Sequence, residues 1–159
     1  MLSSYEHAAR ILDVRNLHPR QVAVVINFVR QYEPGGSVYA IHQATTSLTK
    51  IGRSENVPRR LRVLERRHGT PLTLLAEAPC PCSVATVERW VHRHFQACRV
   101  VGEWFACDLT VLTPSSVFVS LVQDVHYEIL RHVWHDLIVR RLVGSWVLDR
   151  DRVKSFMSF

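Results

Sequence analysis

The sequence predicts an α+β fold, in which a β-hairpin precedes a basic helix, a third strand and a further helix. Residues 37–41 and 48–53 are rich in strand-forming residues and are joined by a polar run at residues 43–47, as in a hairpin. Residues 58–67 begin with proline and contain five arginines, which is typical of an exposed helix. Residues 72–78 return to a strand-forming composition.

Length and composition indicate one globular domain with added helices. The chain has 159 residues and is 47% hydrophobic, enough for one core but hardly for two full domains. It has no run of about 18 apolar residues, and its first residues lack the basic start and apolar stretch of a signal peptide. We therefore expect a soluble, cytoplasmic protein, of cellular or phage origin, without a membrane partner.

The charge distribution predicts a polyanionic partner. The formal net charge is +6, and six arginines fall between Arg53 and Arg67, whereas lysine occurs only at Lys50 and Lys154. Clustered basic residues gain affinity by releasing counterions from phosphates, and the planar guanidinium suits phosphate better than an ammonium group does. The alternative interpretation is a solvated helix face without a partner.

Two helices are predicted before the hairpin. Ser3 and Glu6 have capping-box spacing and can start the first helix. Residues 19–32 begin with proline and repeat valine and isoleucine at helical spacing. A Pro-Gly-Gly sequence follows, so we assign residues 1–35 to an N-terminal helical extension.

A helix is also predicted after the third strand. Residues 79–82 alternate proline and cysteine, from which we expect irregular structure, and Ser83 can cap the helix that follows. Glu88 lies at the edge of the apolar stripe of this helix, with His92 one turn beyond it. The stripe contains Val84, Val87, Val91 and Phe95.

The C-terminal segment, residues 110–159, is predicted to form a long helix and a tail of unassigned role. Thr113 and Pro114 suit the first positions of a helix that continues to about Val143. Apolar residues cover a broad part of its surface, so it should pack on the N-terminal helices, on a protein partner or on a second copy of the chain.

Cysteines and histidines leave a zinc site open as an alternative. Zinc sites usually show closely paired ligands. The cysteines have no C-x-x-C spacing, which favours reduced thiols without a role over a site shared with His92 and His94.

We expect the histidines of the long helix to be polar surface residues. The cysteines are Cys80, Cys82, Cys98 and Cys107, and the polar group of the long helix is His126, His132, His135 and Asp136.

Five short segments occur in the order found in one nuclease superfamily. Residues 37–39 (SVY) stand where its first motif would be, and residues 50–53 (KIGR) where its second would be. Arg60, Glu88 and residues 102–105 (GEWF) then match its catalytic arginine, its metal-binding glutamate and its closing motif. The chain thus resembles the GIY-YIG nucleases, in particular the phage-associated branch whose second motif begins with lysine.

The resemblance implies a small three-stranded antiparallel sheet flanked by helices over residues 36–109. It also implies a metal-dependent DNA endonuclease, encoded by a phage, a mobile element or a defence system. The implied catalytic residues are Tyr39, Lys50, Arg60 and Glu88. The residues expected to contact nucleic acid are Arg53, Arg59, Arg62, Arg66, Arg67 and His92.

The chemistry of these side chains suits phosphodiester hydrolysis. Glu88 is a hard oxygen ligand for one Mg²⁺ or Mn²⁺ ion, and Arg60 can clamp the scissile phosphate. Tyr39 can position or deprotonate the attacking water, the latter only if nearby cations lower its pKa from about 10. Lys50 stands where many relatives have a second tyrosine. We expect it to contact phosphate or support Tyr39 rather than to act as a base.

Two further departures leave a second function open. Leu64 stands where several relatives carry a histidine or tyrosine, and leucine cannot transfer a proton. Glu103 falls where many relatives have an asparagine. The alternative is a catalytically weak or inactive protein of the same fold that binds nucleic acid or takes part in an assembly.

Overall fold

The computed structural model describes residues 17–107 and 115–143, with side chains described as far as residue 137. The predicted first helix, the start of the long helix at Thr113 and Pro114, and the tail after Val143 lie outside these residues. Across the described ranges, no helix is long and apolar enough to cross a bilayer. The domain boundaries after residues 35 and 109 stay predictions.

The predicted hairpin and basic helix are confirmed with slightly wider bounds. Strands β1 (Gly36–Gln43) and β2 (Leu48–Ser54) pair antiparallel, and a turn at residues 44–47 joins them. Helix α1 (Pro19–Arg30) precedes the hairpin, and the basic helix, α2, is Val57–His68. Asn56 caps α2 by accepting a hydrogen bond from the Arg59 amide at 2.9 Å.

The sheet has five strands instead of the three expected. Strand β3 (Thr73–Cys80) pairs with β1, and a second hairpin of β4 (Arg99–Val101) and β5 (Trp104–Phe105) extends the sheet beyond β2. The strand order is β3-β1-β2-β5-β4, antiparallel throughout. Gly102, at φ 54°, makes the tight turn between the last two strands. Strands of three and two residues are too short for alternation to reveal them in the sequence.

Strand β3 also continues further than its composition predicts. Pro79 pairs with Ser37, and the strand ends at Cys80, so the expectation of irregular structure was wrong for residues 79 and 80 and right for residues 81 and 82. The reason is that β3 is an edge strand. Proline lacks an N–H group, and an edge position does not require one on its outer side.

Helix α3 (Val84–His94) is capped by a residue distant in sequence. Ser83 occupies the N-cap position at φ 56°, but its side chain makes no capping hydrogen bond, contrary to expectation. The Glu33 carboxylate instead accepts from the Thr86 amide at 2.8 Å and from the Thr86 hydroxyl at 2.9 Å. The loop after helix α1 therefore supplies a hydrogen-bond acceptor to a backbone N–H group in the first turn of α3.

The helix before the hairpin packs on the long C-terminal helix. Helix α1 (Pro19–Arg30) contacts helix α4 (Ser115–Val143), which also covers β3 and α3. The expectation that the long helix packs on the preceding helical extension is confirmed for α1. Their shared apolar cluster contains Leu17, Val25, Val29, Cys82, Leu130 and Val133.

His126 is a buried residue and not the polar surface residue expected from the sequence. Its Nε2 atom lies 3.5 Å from the Cys82 sulfur inside the α4 packing. His132 and His135 are exposed, as expected.

The two faces of the sheet have different partners. Val38, Ala40 and Ile51 point into the main core, against α3 and α4. Tyr39 and Ile41 point to the opposite face, where α2 covers them with the side chains of Val57, Leu61 and Leu64. Leu64 thus packs in a hydrophobic core beneath the site. This burial accounts for a leucine at the position where several relatives carry histidine or tyrosine.

Candidate active site

Tyr39 is held against β2 by the absence of a side chain at Gly52. The two residues are direct partners in the β1–β2 register. A Cβ atom at Gly52 would lie 2.6 Å from the Tyr39 hydroxyl oxygen and 2.8 Å from Cζ, well inside contact distance. The glycine of the second motif therefore makes room for the tyrosine of the first motif.

Arg60 reaches the Tyr39 hydroxyl from α2. Its Nε atom donates a hydrogen bond to the tyrosine oxygen over 3.2 Å. Burial raises the pKa of Tyr39, and the hydrogen bond and charge of Arg60 lower it by less than burial raises it. With these groups around it, the phenol carries its proton at neutral pH and suits positioning of water better than its deprotonation.

A cleft of about 350 Å³ brings three of the four predicted catalytic residues together. Tyr39 and Arg60 enter it from β1 and α2, and Glu88 enters it from α3. The remaining lining residues are Pro34, Gly35, Arg53, Ser54, Glu55, Val84 and Glu103.

The carboxylate of Glu88 is paired with Arg53. Arg53 Nε and Glu88 Oε2 are 2.8 Å apart, and the side chains are 49% and 13% exposed respectively. Arg53 was expected to contact nucleic acid. In the structure its guanidinium pairs with the carboxylate that was predicted to bind a metal ion.

Lys50, the fourth predicted catalytic residue, lies behind the cleft and is absent from its lining. Its side chain is 8% exposed, donates a hydrogen bond to Glu103 Oε2 and lies 5.7 Å from the centre of the Trp104 ring. Glu103 itself is 43% exposed and lines the cleft. Lys50 therefore contacts the lining of the cleft through this carboxylate.

The pKa of Glu103 reflects that pairing. Burial alone would raise it, but the hydrogen bond and charge of Lys50, followed by the charges of His92 and Arg60, hold it below its usual value. Glu103 is consequently ionised at neutral pH.

The other basic residues predicted to contact nucleic acid lie in three different settings. Arg59 lines a second hollow with Asn56 and Val63, and Arg60 borders both this hollow and the cleft. His92 turns toward the sheet, where its Nε2 lies 2.8 Å from the Ile51 carbonyl oxygen, which can only accept. The remaining predicted contacts are exposed on α2: Arg62, Arg66 and Arg67.

The donor set suits a magnesium-type site with a single carboxylate better than a zinc site. Magnesium commonly takes one or two carboxylates, keeps several waters and completes its shell with phosphate oxygens, so Glu88 at the wall of an open cleft fits. Residues 17–107 and 115–137 contain no cluster of three or more His, Cys, Asp or Glu side chains able to hold a metal. Three of the cysteines are buried thiols, and burial raises the pKa of Cys80 to about 11 and that of Cys107 to about 12.

Sequence reasoning missed the position of Glu103 in the cleft. A usable signal was present, because Lys50 alternates with Ile51 along β2 and shares a face with Tyr39 and Ile41. A buried ammonium group needs a carboxylate partner. In the structure that partner is Glu103 of the closing GEWF segment.

Comparison with known families agrees with this geometry. The family model of the T5orf172 domain matches residues 36–119, just over half of the chain. The chain belongs to the T5orf172 domain family. This family is phage-associated and related to the GIY-YIG and HNH-like nucleases, so the resemblance seen in the sequence holds at the level of relationship and not of membership in GIY-YIG itself. No curated protein and no solved structure matches the chain significantly.

The match covers all the elements that build the cleft apart from Pro34 and Gly35. The T5orf172 domain of this chain thus comprises the whole five-stranded sheet, α2, α3 and the start of α4.

Proposed function

We propose that this T5orf172 domain is a metal-dependent DNA endonuclease that hydrolyses phosphodiester bonds with one divalent ion. The observation that carries the proposal is the convergence of Tyr39, Arg60 and Glu88 on one open cleft. Phosphodiester cleavage needs a positioned water, stabilisation of charge on the phosphorus centre and help for the departing oxygen. The relationship of the family to nucleases supports the same reaction class.

Each side chain has a role that follows from its surroundings. Arg60 borders the cleft and the neighbouring hollow, so its guanidinium can bind the scissile phosphate while its Nε keeps Tyr39 in place. Tyr39 offers a protonated hydroxyl that orients the attacking water. Glu88 would hold Mg²⁺ or Mn²⁺, which on binding supplies positive charge to the phosphate and to the leaving oxygen.

DNA is the favoured partner because of the basic surface beside the cleft. Arg59 lies in the neighbouring hollow, and further arginines are exposed along α2. These charges can bind the backbone on either side of the scissile phosphate.

The test is cleavage of DNA by the purified protein with Mg²⁺ or Mn²⁺. Wild-type protein should nick or cut DNA only when the ion is present, and Glu88→Ala and Arg60→Ala should each abolish turnover while the protein stays folded. If both variants cut as fast as wild type, the assignment of the site is wrong.

A second candidate function is nucleic-acid binding without turnover. It is favoured by the Arg53–Glu88 ion pair, which occupies the carboxylate that catalysis would need. The expected result is a salt-sensitive gel shift with no cleavage in Mg²⁺, Mn²⁺, Ca²⁺ or Zn²⁺. Clear metal-dependent turnover would exclude this function.

A further inference from the structure

The proton acceptors in the cleft are unequal in their availability. The Tyr39 hydroxyl is protonated and already accepts a hydrogen bond from Arg60. Glu88 Oε2 is engaged by Arg53, and this carboxylate is the metal ligand of the proposed function. Lys50 donates to Glu103 and does not line the cleft. None of these three groups is therefore suited to take a proton from water.

Glu103 has the properties that the others lack. It lines the cleft, its side chain is 43% exposed and Lys50 engages Oε2, which leaves Oε1 as the second oxygen of the carboxylate. Its charge also acts on both Tyr39 and Arg60, so it lies close to the groups that position water and phosphate.

The position of Glu103 is fixed at both its backbone and its side chain. Its carbonyl oxygen accepts from the Ile51 amide at 3.1 Å, and the adjoining Gly102 holds the tight turn at φ 54°. The remaining carboxylate at the cleft, Glu55, is exposed on the segment between β2 and α2. A general base must be held within hydrogen-bond reach of the proton that it removes, and this requirement favours Glu103.

From this geometry we propose that Glu103 is the general base of the cleft, accepting a proton from the attacking water at its carboxylate. Lys50 is then a positioning residue, which keeps Glu103 ionised and correctly oriented. This inference rests on the proposed nuclease function and replaces both Tyr39 and Lys50 as candidates for the base.

The step balances without a further reactant. The water oxygen forms a bond to phosphorus as one of its protons moves to Glu103, and the bond from phosphorus to the leaving sugar oxygen breaks with its electron pair. The leaving oxygen takes a proton from solvent, and Glu103 returns its proton to solvent. One water is consumed, and a phosphate monoester and a sugar hydroxyl are formed.

The groups around Glu103 determine the expected pH dependence. Lys50 on β2, Arg60 on α2 and His92 on α3 are the cationic groups that act on it. All three favour the carboxylate, so cleavage should fall at acidic pH as Glu103 becomes protonated. When Lys50 is replaced by methionine, the acid limb of the rate profile should move to higher pH, because the ammonium group that favours the ionised carboxylate is lost.

The experiment is single-turnover cleavage with saturating protein and Mn²⁺, with DNA affinity and Mn²⁺ affinity measured on the same samples. Glu103→Gln should lose about 10² to 10⁴-fold in rate, with both affinities changed less than threefold. Glu128→Gln, an exposed carboxylate on α4, should keep the wild-type rate. Formate should restore part of the rate to Glu103→Ala, a recovery that a purely structural role would not produce.

The outcomes separate this inference from the proposed function. If wild type cuts DNA and Glu103→Gln cuts equally fast, the inference is overturned and the nuclease proposal stands. The same holds if Glu55→Gln, and not Glu103→Gln, loses the rate. If Glu103→Gln does not fold, formate rescue of Glu103→Ala and an intermediate rate for Glu103→Asp decide the matter, and the absence of both overturns the inference. If wild type cuts no DNA under any metal, both proposals fail.

Discussion

At the scale of single residues, Gly52 determines whether the tyrosine of the site can occupy its position. The methyl group of alanine at this position would overlap the Tyr39 hydroxyl, since its carbon would lie 2.6 Å from the oxygen, closer than such atoms approach one another in proteins. Gly52→Ala should therefore displace Tyr39, break its hydrogen bond to Arg60 and destabilise the fold by about 1–3 kcal/mol.

Urea unfolding and the rate of DNA cleavage measure this effect. Gly69→Asn is the control, because a Cβ atom there has nothing within 4 Å and asparagine tolerates its left-handed backbone. Equal stability and equal rates for Gly52→Ala and wild type would show that the ring is not confined by β2.

The Arg53–Glu88 pair predicts competition between an arginine and a metal ion. Because Arg53 engages Glu88 Oε2, its removal should make the carboxylate more available. Arg53→Ala should bind Mn²⁺ up to about fivefold more tightly in the absence of DNA, as expected from the modest energy of an exposed ion pair.

Titration of free Mn²⁺ by electron paramagnetic resonance gives this affinity directly. Arg62→Ala removes an exposed arginine of α2 and serves as the control for the change in net charge. An affinity for Arg53→Ala equal to or weaker than that of wild type would contradict the competition.

At the scale of elements, the packing of α4 on the rest of the chain predicts a pH-dependent stability. Burial lowers the pKa of His126, opposed in part by a hydrogen bond to the Cys82 backbone. Above about pH 6.5 the ring is neutral in the folded and unfolded states alike and has no effect. Below that pH the unfolded chain takes up a proton that the folded protein resists, so the free energy of unfolding should fall.

Chemical denaturation between pH 7 and pH 5 measures this loss. His126→Asn should reduce the slope of stability against pH, whereas His132→Asn, at an exposed site on the same helix, should leave it as in wild type. Parallel slopes for wild type and His126→Asn would show that the buried histidine is not the source.

Elements were predictable from the sequence where they are long and regular. The hairpin, the basic helix and the long C-terminal helix appear close to their expected bounds, because alternation and helical spacing extend over whole turns or strands. A turn and a short extended piece are predicted at residues 100–105, but the pairing of β4 and β5 as an extension of the sheet was not predicted, and neither were the last residues of β3. Their formation depends on neighbours, namely the free edge of β2 and the edge position that tolerates Pro79.

At the scale of the whole molecule, the arginines of α2 form a basic surface beside the cleft. Arg62 and Arg66 are exposed and distinct from the residues predicted to carry the chemistry, so they should contribute to DNA affinity and not to the bond-breaking step. Replacing both with glutamine should weaken binding and reduce the slope of log affinity against log salt by up to about 2.

Fluorescence anisotropy at several salt concentrations measures the slope, and cleavage at saturating protein measures the chemistry. Arg131→Gln is the control, because this arginine pairs with Glu128 on α4, 2.8 Å away. An unchanged slope for the α2 double variant would place the DNA elsewhere on the molecule.

The sequence indicated residues that line the cleft better than it indicated their partners. Motif order indicated Tyr39, Arg60 and Glu88, which the fold brings to one cleft. It did not indicate that Lys50 would reach the cleft through Glu103, or that Arg53 would bind Glu88, since both pairs join residues far apart in the chain. Such pairings depend on the tertiary structure, in which β2 pairs with β5 of the closing hairpin and packs against α3.

The central claim is that the cleft cuts DNA with a metal held by Glu88. Its most direct test compares wild type with Glu88→Gln, measuring cleavage rate, Mn²⁺ affinity and DNA affinity on the same preparations. The claim predicts that Glu88→Gln loses Mn²⁺ binding and cleavage together while it still binds DNA and unfolds at the same temperature within a few degrees. A Glu88→Gln variant that cuts DNA at the wild-type rate would contradict it.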